Sequence, residues 1–397
     1  MPIAPRRLIF LLAALLVLSP AVLRAGSAVV ENQIAGTSPA SPSGDLAAAA
    51  QYRRALAEYT EARQRYTALS EAYWSGISEK RHLRMSKRAN HQALLLDDYV
   101  LAQPPIYSGP PRPRDPLTPQ ESPPPPYVPV VSDFLAAAQR EFKFVPRLPR
   151  TESEFKRAYA RAALAAGLTR DQIVRIYGFE AGGNGGYDVQ AGLEYSKKAR
   201  AITTALGYNQ LLATNTVEIV AEKGNQFVKK LSLRAGEVSD GERQALDDKI
   251  AILRKMVSYS TSVPDAWSEH ESLANTSKGL AIHAINLDLD LGPLLQAQKL
   301  LDSVIFARRK GYEGPLTAAD LEMMNLTGDG NGFDMVTLPV EWRGKVPTAN
   351  FFQRSGYLDN PVAQRNSVVG KLLAATDARM DEESRKPGAR ELAAAIQ

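Results

Sequence analysis

From Thr169 to Leu212 the chain reads TRDQIVRIYGFEAGGNGGYDVQAGLEYSKKARAITTALGYNQLL, and its first part carries the marks of a helix specified at both ends. Thr169 and Gln172 have capping-box spacing, and Gly182 and Gly183 supply a stop. Ile173, Ile176 and Tyr177 form one apolar stripe, and the next residue on that face is Glu180, four after Ile176 and three after Tyr177. A carboxyl at the end of a buried stripe is disfavoured as an anion by desolvation, and the negative end of the helix dipole acts in the same direction. Glu180 is therefore expected to hold a proton near neutral pH, as a general acid must. An ordinary solvated helix-end carboxylate is the alternative.

The loop after it, Ala181-Gly-Gly-Asn-Gly-Gly186, allows close approach of backbone and is expected to leave Glu180 open to a bulky ligand. Further on comes Thr204-Ala-Leu-Gly-Tyr-Asn-Gln-Leu-Leu212. A Glu at a helix end, a loop, and then A-x-G-Y-x-Q-L-L resembles the lysozyme-like superfamily of lytic transglycosylases and goose-type lysozymes, over Phe155 to Ala221. The resemblance implies that Glu180 is the sole obligatory catalytic acid/base and that Gly207, Tyr208 and Gln210 line a saccharide cleft, with no cofactor or metal. The chain departs from the family in having Ala181 where Ser usually follows the Glu. It also carries extra residues around Tyr187 to Lys198.

At the start of the chain, Arg6 and Arg7 precede an apolar run from Leu8 to Leu18 and small residues up to Ala28. This is the layout of a secretory signal, short for a membrane span, so residues 1–28 are read as directing export to the periplasm or beyond. An uncleaved anchor is the alternative. With no cysteine anywhere, an exported form folds without disulfides, on the strength of a core that 397 residues at 44% hydrophobic composition can supply. Loss of Arg6, Arg7 and Arg24 lowers the formal charge from +5 to +2. No dense Lys/Arg block with interleaved aromatics occurs, so nucleic acid is not an expected partner.

Residues 29–44 read as a linker. Residues 45–102 read as helical, with Tyr52, Tyr59, Tyr66 and Tyr73 recurring every seven residues and Ala55, Ala62 and Leu69 each three further on. That stripe suits a helical hairpin, a short coiled coil through which chains self-associate, or a helix folded back on the chain's own core. Residues 103–130, with a four-proline run at Pro123 to Pro126, read as a semi-rigid extended spacer.

From Val131 helices dominate, and period-two alternation is scarce, so any sheet is small. Thr151-x-x-Glu154 opens a helix running to Gly167; Thr216 to Lys223 is expected to be helical with Gly224 as its stop. Ser239-x-x-Glu242 caps a long helix with Leu246, Ile250, Leu253 and Val257 on one face. Further helices are expected from Leu294 to Lys310 after Pro293, from Thr317 to Leu326, and from Pro361 to about Met380, with residues 384–397 as a tail.

Met324-Asn-Leu-Thr-Gly-Asp-Gly-Asn-Gly-Phe-Asp-Met335 falls where the transglycosylases carry Ala-Tyr-Asn-Ala-Gly; Asn325 matches the Asn and is implied to bind substrate, while Met324 replaces the Tyr. Asp329, Asn331 and Asp334 invite a calcium reading, but Phe333 and Asp334 break the EF-hand pattern and the closing Glu is displaced to Glu341. Val346 to Tyr357 is either the far wall of a sugar cleft or a packed loop. His82, His91, His270 and His283 have no metal-ligand spacing.

The sequence thus predicts a mainly α protein, with a lysozyme-like helical domain at residues 131–383 behind a helical region and a Pro-rich spacer. The expected function is exported cleavage of peptidoglycan glycan strands between N-acetylmuramic acid and N-acetylglucosamine. Asp188 and Glu194 are the nearest candidates for a second carboxylate, which decides between hydrolysis and a 1,6-anhydro product. The alternative function is a non-catalytic cell-wall binding or scaffold protein.

Overall fold

The computed structural model describes residues 42–116, 126–193 and 200–396. The stretch read as an export signal, residues 29–41 of the linker, and Glu194 lie outside the described residues. Two compact units divide between Pro126 and Tyr127. Among the described residues the protein is mainly helical and has no strand; extended pairing is limited to the bridges Gln190 with Leu206, Leu206 with Leu211 and Pro347 with Val368.

The first unit is built on α1 (Pro42–Ala89), a single 48-residue helix. The chain then returns along the tyrosine stripe. Arg84 Nη1 donates to Asp98 O at 3.0 Å, the Tyr73 hydroxyl to Ala102 O at 3.1 Å, and the Tyr107 ring meets Tyr66 and Tyr59 edge-on at 5.5 and 6.3 Å. Gly109 follows beside Ala62, where a Cβ would come within 2.8 Å of the alanine methyl. The register is what two rises per residue dictate. Twenty-two helical residues from 84 to 62 rise about 33 Å at 1.5 Å each, and eleven extended residues from 98 to 109 span about 34 Å at a rise of about 3.1 Å each. The chain thus lies along the helix over residues 102–109, within the stretch read as a spacer, and Tyr107 packs on the edges of Tyr59 and Tyr66, the stripe read as a hairpin, a coiled coil or a helix folded back on the chain. Leu69, placed in that seam by its spacing, is 64% exposed.

The second unit runs through α2 (Val131–Phe142), α3 (Glu152–Ala165), α4 (Arg170–Glu180), α5 (Ala213–Ala235), α6 (Asp240–Ser260), α7 (Trp267–Ala274) and α8 (Ser277–His283). It continues with α9 (Gly292–Arg309), α10 (Ala318–Thr327), α11 (Asp329–Val336), α12 (Arg354–Leu358), α13 (Pro361–Arg365), α14 (Val369–Ser384) and α15 (Pro387–Ala394). One core lies among α2, α5, α6, α8 and the start of α9, and includes Phe134, Val217, Phe227, Ile282 and Leu295. The predicted face of α6, with Leu246, Ile250, Leu253 and Val257, points into it. A second group of helices packs α4 against α10, α14 and α15, and α9 runs between the two groups in contact with α3, α5 and α10.

Three sequence expectations are corrected here. Gly224 does not stop a helix: α5 runs through it, and a Cβ there would sit 2.3 Å from Val257 Cγ2, so the glycine allows α5 and α6 to cross closely. The helix expected from Pro361 to Met380 breaks at residues 366–368, where Ser367 O accepts from Thr348 N and the amide of Val369 turns to Val346 O. The expected tail carries α15, whose Ala389 and Leu392 are buried against α3 and α4.

Candidate active site

The helix that carries Glu180 begins as its sequence dictates. Thr169 Oγ1 accepts from Gln172 N at 3.2 Å and Gln172 Oε1 accepts from Thr169 N at 2.9 Å, while Gln172 Nε2 reaches Leu316 O at 2.7 Å and so fixes α4 to the approach of α10. Helix α10 opens on a second capping box, between Thr317 and Asp320. Ile173, Ile176 and Tyr177 are fully buried, and Glu180 ends the stripe at 7% exposure.

What faces Glu180 comes from α10. Asn325 Nδ2 donates to Glu180 Oε1 at 2.9 Å, and Glu322, one turn earlier on the same face, brings its carboxyl within hydrogen-bonding reach of Glu180. Glu322 is 1% exposed and its Oε2 has no partner. Two carboxyls in contact in a buried place cannot both ionise without large cost, so the pair holds a proton between them. Burial pushes Glu180 well above the usual carboxylate range, and the Glu322 charge pushes the same way against Lys299 and Asn325. Burial likewise pushes Glu322 up to about 7.

Lys299, on α9, is the cation these acids share. It also faces Glu218 of α5, a half-buried carboxyl pushed up to about 7 by burial, and Asp302 and Asp329, both raised by burial. Glu180, Glu322, Asn325, Lys299 and Glu218 thus lie on four helices, α4, α10, α9 and α5. Sequence reasoning found Glu180 and Asn325 but missed the other three. A signal existed for Glu322, which stands three residues before Asn325, and for Glu218, which sits in the apolar run Val217 to Val220.

The Gly207 to Gln210 segment folds as a tight reversal closed by Leu206 N to Leu211 O at 3.0 Å and the reciprocal bond at 3.1 Å. Gly207 needs its φ of 80°, and a Cβ there would meet Gln296 Nε2 at 2.5 Å. The ring of Tyr208 is fully buried, edge-on to Tyr177, Tyr159 and Phe155, with its hydroxyl on Glu152, so it packs the core behind α4 instead of facing a cleft. Asn209 is also buried, bonded through N and Nδ2 to Gln296. Gln210 adopts a positive φ of 42° and donates Nε2 to Gly207 O and Val189 O, which leaves Oε1 buried without a partner. Tyr208 reaches the Glu180 helix through Tyr177; among the described residues no hydrogen bond joins Gly207 or Gln210 to Glu180.

The glycine loop serves a different neighbour from the one expected. Gly183 has φ 70° and a Cβ there would lie 2.3 Å from Glu383 O, while Gly183 O accepts from Ala389 N at 2.8 Å and Gly182 O from Lys386 Nζ at 3.1 Å. The glycines admit the C-terminal helices. Asp188 is exposed and lies near Glu152, not Glu180. The acidic string after Asn325 starts α11 at Asp329, whose Oδ1 accepts from Ser303, so it does not form a cation loop. No metal-holding group of three ligands occurs among the described residues. Residues 348–352 are buried as a packed loop, and His283 is a core residue between Thr216 Oγ1 and Thr204 O, held well below its ordinary pKa, at about 4, by burial.

No family model, curated protein or solved structure matches this chain.

Proposed function

We propose that the chain is an exported enzyme of lysozyme-like helical fold that cleaves peptidoglycan glycan strands, with Glu180 as general acid and then base. The observation that carries the reading is the buried contact of the Glu180 and Glu322 carboxyls at a helix end, with Asn325 Nδ2 on Glu180 Oε1. A glycosidic oxygen leaves only when protonated, and a carboxyl kept neutral near pH 7 supplies that proton. As the bond between C1 of N-acetylmuramic acid and the bridging oxygen breaks, the Glu180 proton passes to that oxygen. The resulting carboxylate then takes a proton from the muramic acid 6-hydroxyl as O6 bonds to C1, or from water, and Glu180 is again protonated. Asn325 holds Oε1 in place, and Glu322 keeps the resting pair protonated.

The second reading, a non-catalytic cell-wall binder, is favoured by the 7% exposure of Glu180 and the buried Tyr208 ring. Incubation of the purified chain with sacculi, followed by mass spectrometry of the soluble fraction, separates the two. Muropeptides released by wild type and not by Glu180→Gln support the enzyme. Release by neither, with both retained on sacculi, supports the binder; equal release by both places the acid elsewhere.

A further inference from the structure

Away from Glu180, a groove of about 520 Å³ opens between α3, the segment before it, the end of α5 and the start of α9. Its walls carry Arg147, Arg161 and Arg234, and its apolar lining includes Ala158, Ala162, Leu289 and Leu294. Two of the arginines are set in place from beneath. Arg147 grips Asp290 through Nε and Nη2, and Arg234 reaches the same carboxylate through Nη1. The Asp290 side chain is 3% exposed and is itself bonded to Lys249, which also spans both oxygens of Asp288 at 2.8 and 2.7 Å. Asp288 Oδ2 takes the Arg147 amide at 2.8 Å, and Leu289 N returns to Arg147 O at 2.8 Å, so backbone and side chain of Arg147 are both fixed.

These bonds leave Nη1 of Arg147 and both Nε and Nη2 of Arg234 unused, on side chains that are 49% and 46% exposed. Guanidiniums held in position lose little entropy on binding, and their planar forks match a carboxylate. Arg161, across the groove, has no acidic partner among the described residues. The charge count restricts the ligand. Lys249 is matched by Asp288, and the three arginines face Asp290 and Glu154, so one positive charge is left over. A single surplus charge beside an apolar wall suits one anionic group on a short aliphatic body and does not suit a polyanion.

We propose that this groove binds a monocarboxylate carried on a short aliphatic chain, such as the C-terminal end of a peptide of small apolar residues. The site is independent of the chemistry assigned to Glu180. Ligand-observed NMR titration of the full chain with N-acetyl-alanyl-alanine, its C-terminal amide and inorganic phosphate tests it. The acid is expected to bind, the amide at least about tenfold more weakly because a charge-assisted bond is lost, and phosphate more weakly than the acid. Arg161→Ala, which removes no internal ion pair, is expected to weaken the acid several-fold with an unchanged melting curve, and Glu180→Gln to leave it unchanged. Equal binding of acid and amide, indifference to Arg161→Ala, or loss in Glu180→Gln overturns the assignment. Phosphate binding as tight as the acid shows a general anion patch and overturns the ligand class.

Discussion

The Glu180–Glu322 pair and Asp290, buried carboxyls of the same helical unit, are pushed in opposite directions from the usual carboxylate range. Glu180 and Glu322 face each other, with Lys299 as their nearby cation, and burial drives both upward. Asp290 is also desolvated, but Arg147 and Lys249 bond to it directly and hold it below the usual carboxylate range. Asp288 beside it accepts from Lys249 and from three backbone amides and yet, fully buried, is pushed up. Burial thus raises a carboxyl here even where donors reach it, and Asp290 is held down because the cations Arg147 and Lys249 both bond to it.

The largest effect separating the two groups is expected at Lys249. Lys249→Ala leaves Asp288 and Asp290 short of their buried cation and is expected to cost about 3–5 kcal/mol in urea unfolding, with the acidic pair at Glu180 unaffected in kind. A loss under about 1 kcal/mol would show that Arg147 and Arg234 suffice.

Next in size, Glu180→Gln is expected to lower muropeptide release at least about a hundredfold while the fold melts much as before, since an amide keeps the Asn325 contact but has no proton to transfer. Gln210→Ala, whose side chain closes a turn and is not bonded to Glu180, is expected to change release only a few-fold. A loss as deep as that of Glu180→Gln would bring Gln210 into the chemistry.

A smaller effect is directional. Glu322→Gln removes the charge that helps keep Glu180 protonated, so the alkaline limb of the pH–rate profile is expected to move to lower pH. An unmoved limb would mean that Glu322 does not share the proton.

Stability against pH sharpens the contrast further. A carboxyl whose folded pKa is raised favours the folded state while protonated, and that advantage fades as pH climbs from the ordinary carboxylate range through the folded value, about 7 for Glu322. Asp290, with a lowered folded pKa, favours the folded state above the ordinary range and loses that advantage on acidification. Between pH 5 and 8, wild type is expected to lose stability that Glu322→Gln retains, and the Asp290 contribution to disappear only at acid pH. Parallel denaturation curves for the two proteins across pH 5 to 8 would refute the shared proton.

The sequence made α4 legible because its determinants are local: a capping box at Thr169, a stripe at period 3.6, and a glycine stop. Asn325 was legible through a short motif, and the structure brings it to Glu180 across 145 positions. Glu322, Glu218 and Lys299 were not, because each looks like an ordinary helical charge until a partner from another helix gives it meaning. Glycines misled in two ways. Gly224 reads as a stop but marks a close helix crossing, and the glycines after Glu180 read as room for a ligand but make room for α15. Tyr208 reads as a cleft residue, yet its hydroxyl finds Glu152 more than fifty positions upstream, and so the ring can be buried.

The clasp of the C-terminal helices on the glycine loop bears on the timing of synthesis. Asn184 accepts from Gly388, 204 positions later, and Gly183 from Ala389, so a growing chain makes the helix that carries Glu180 long before it makes the residues that fix the loop behind it. A nascent or C-terminally trimmed chain has α4 without its clasp. Emergence of α15, rather than formation of α4, sets the moment at which that loop becomes fixed.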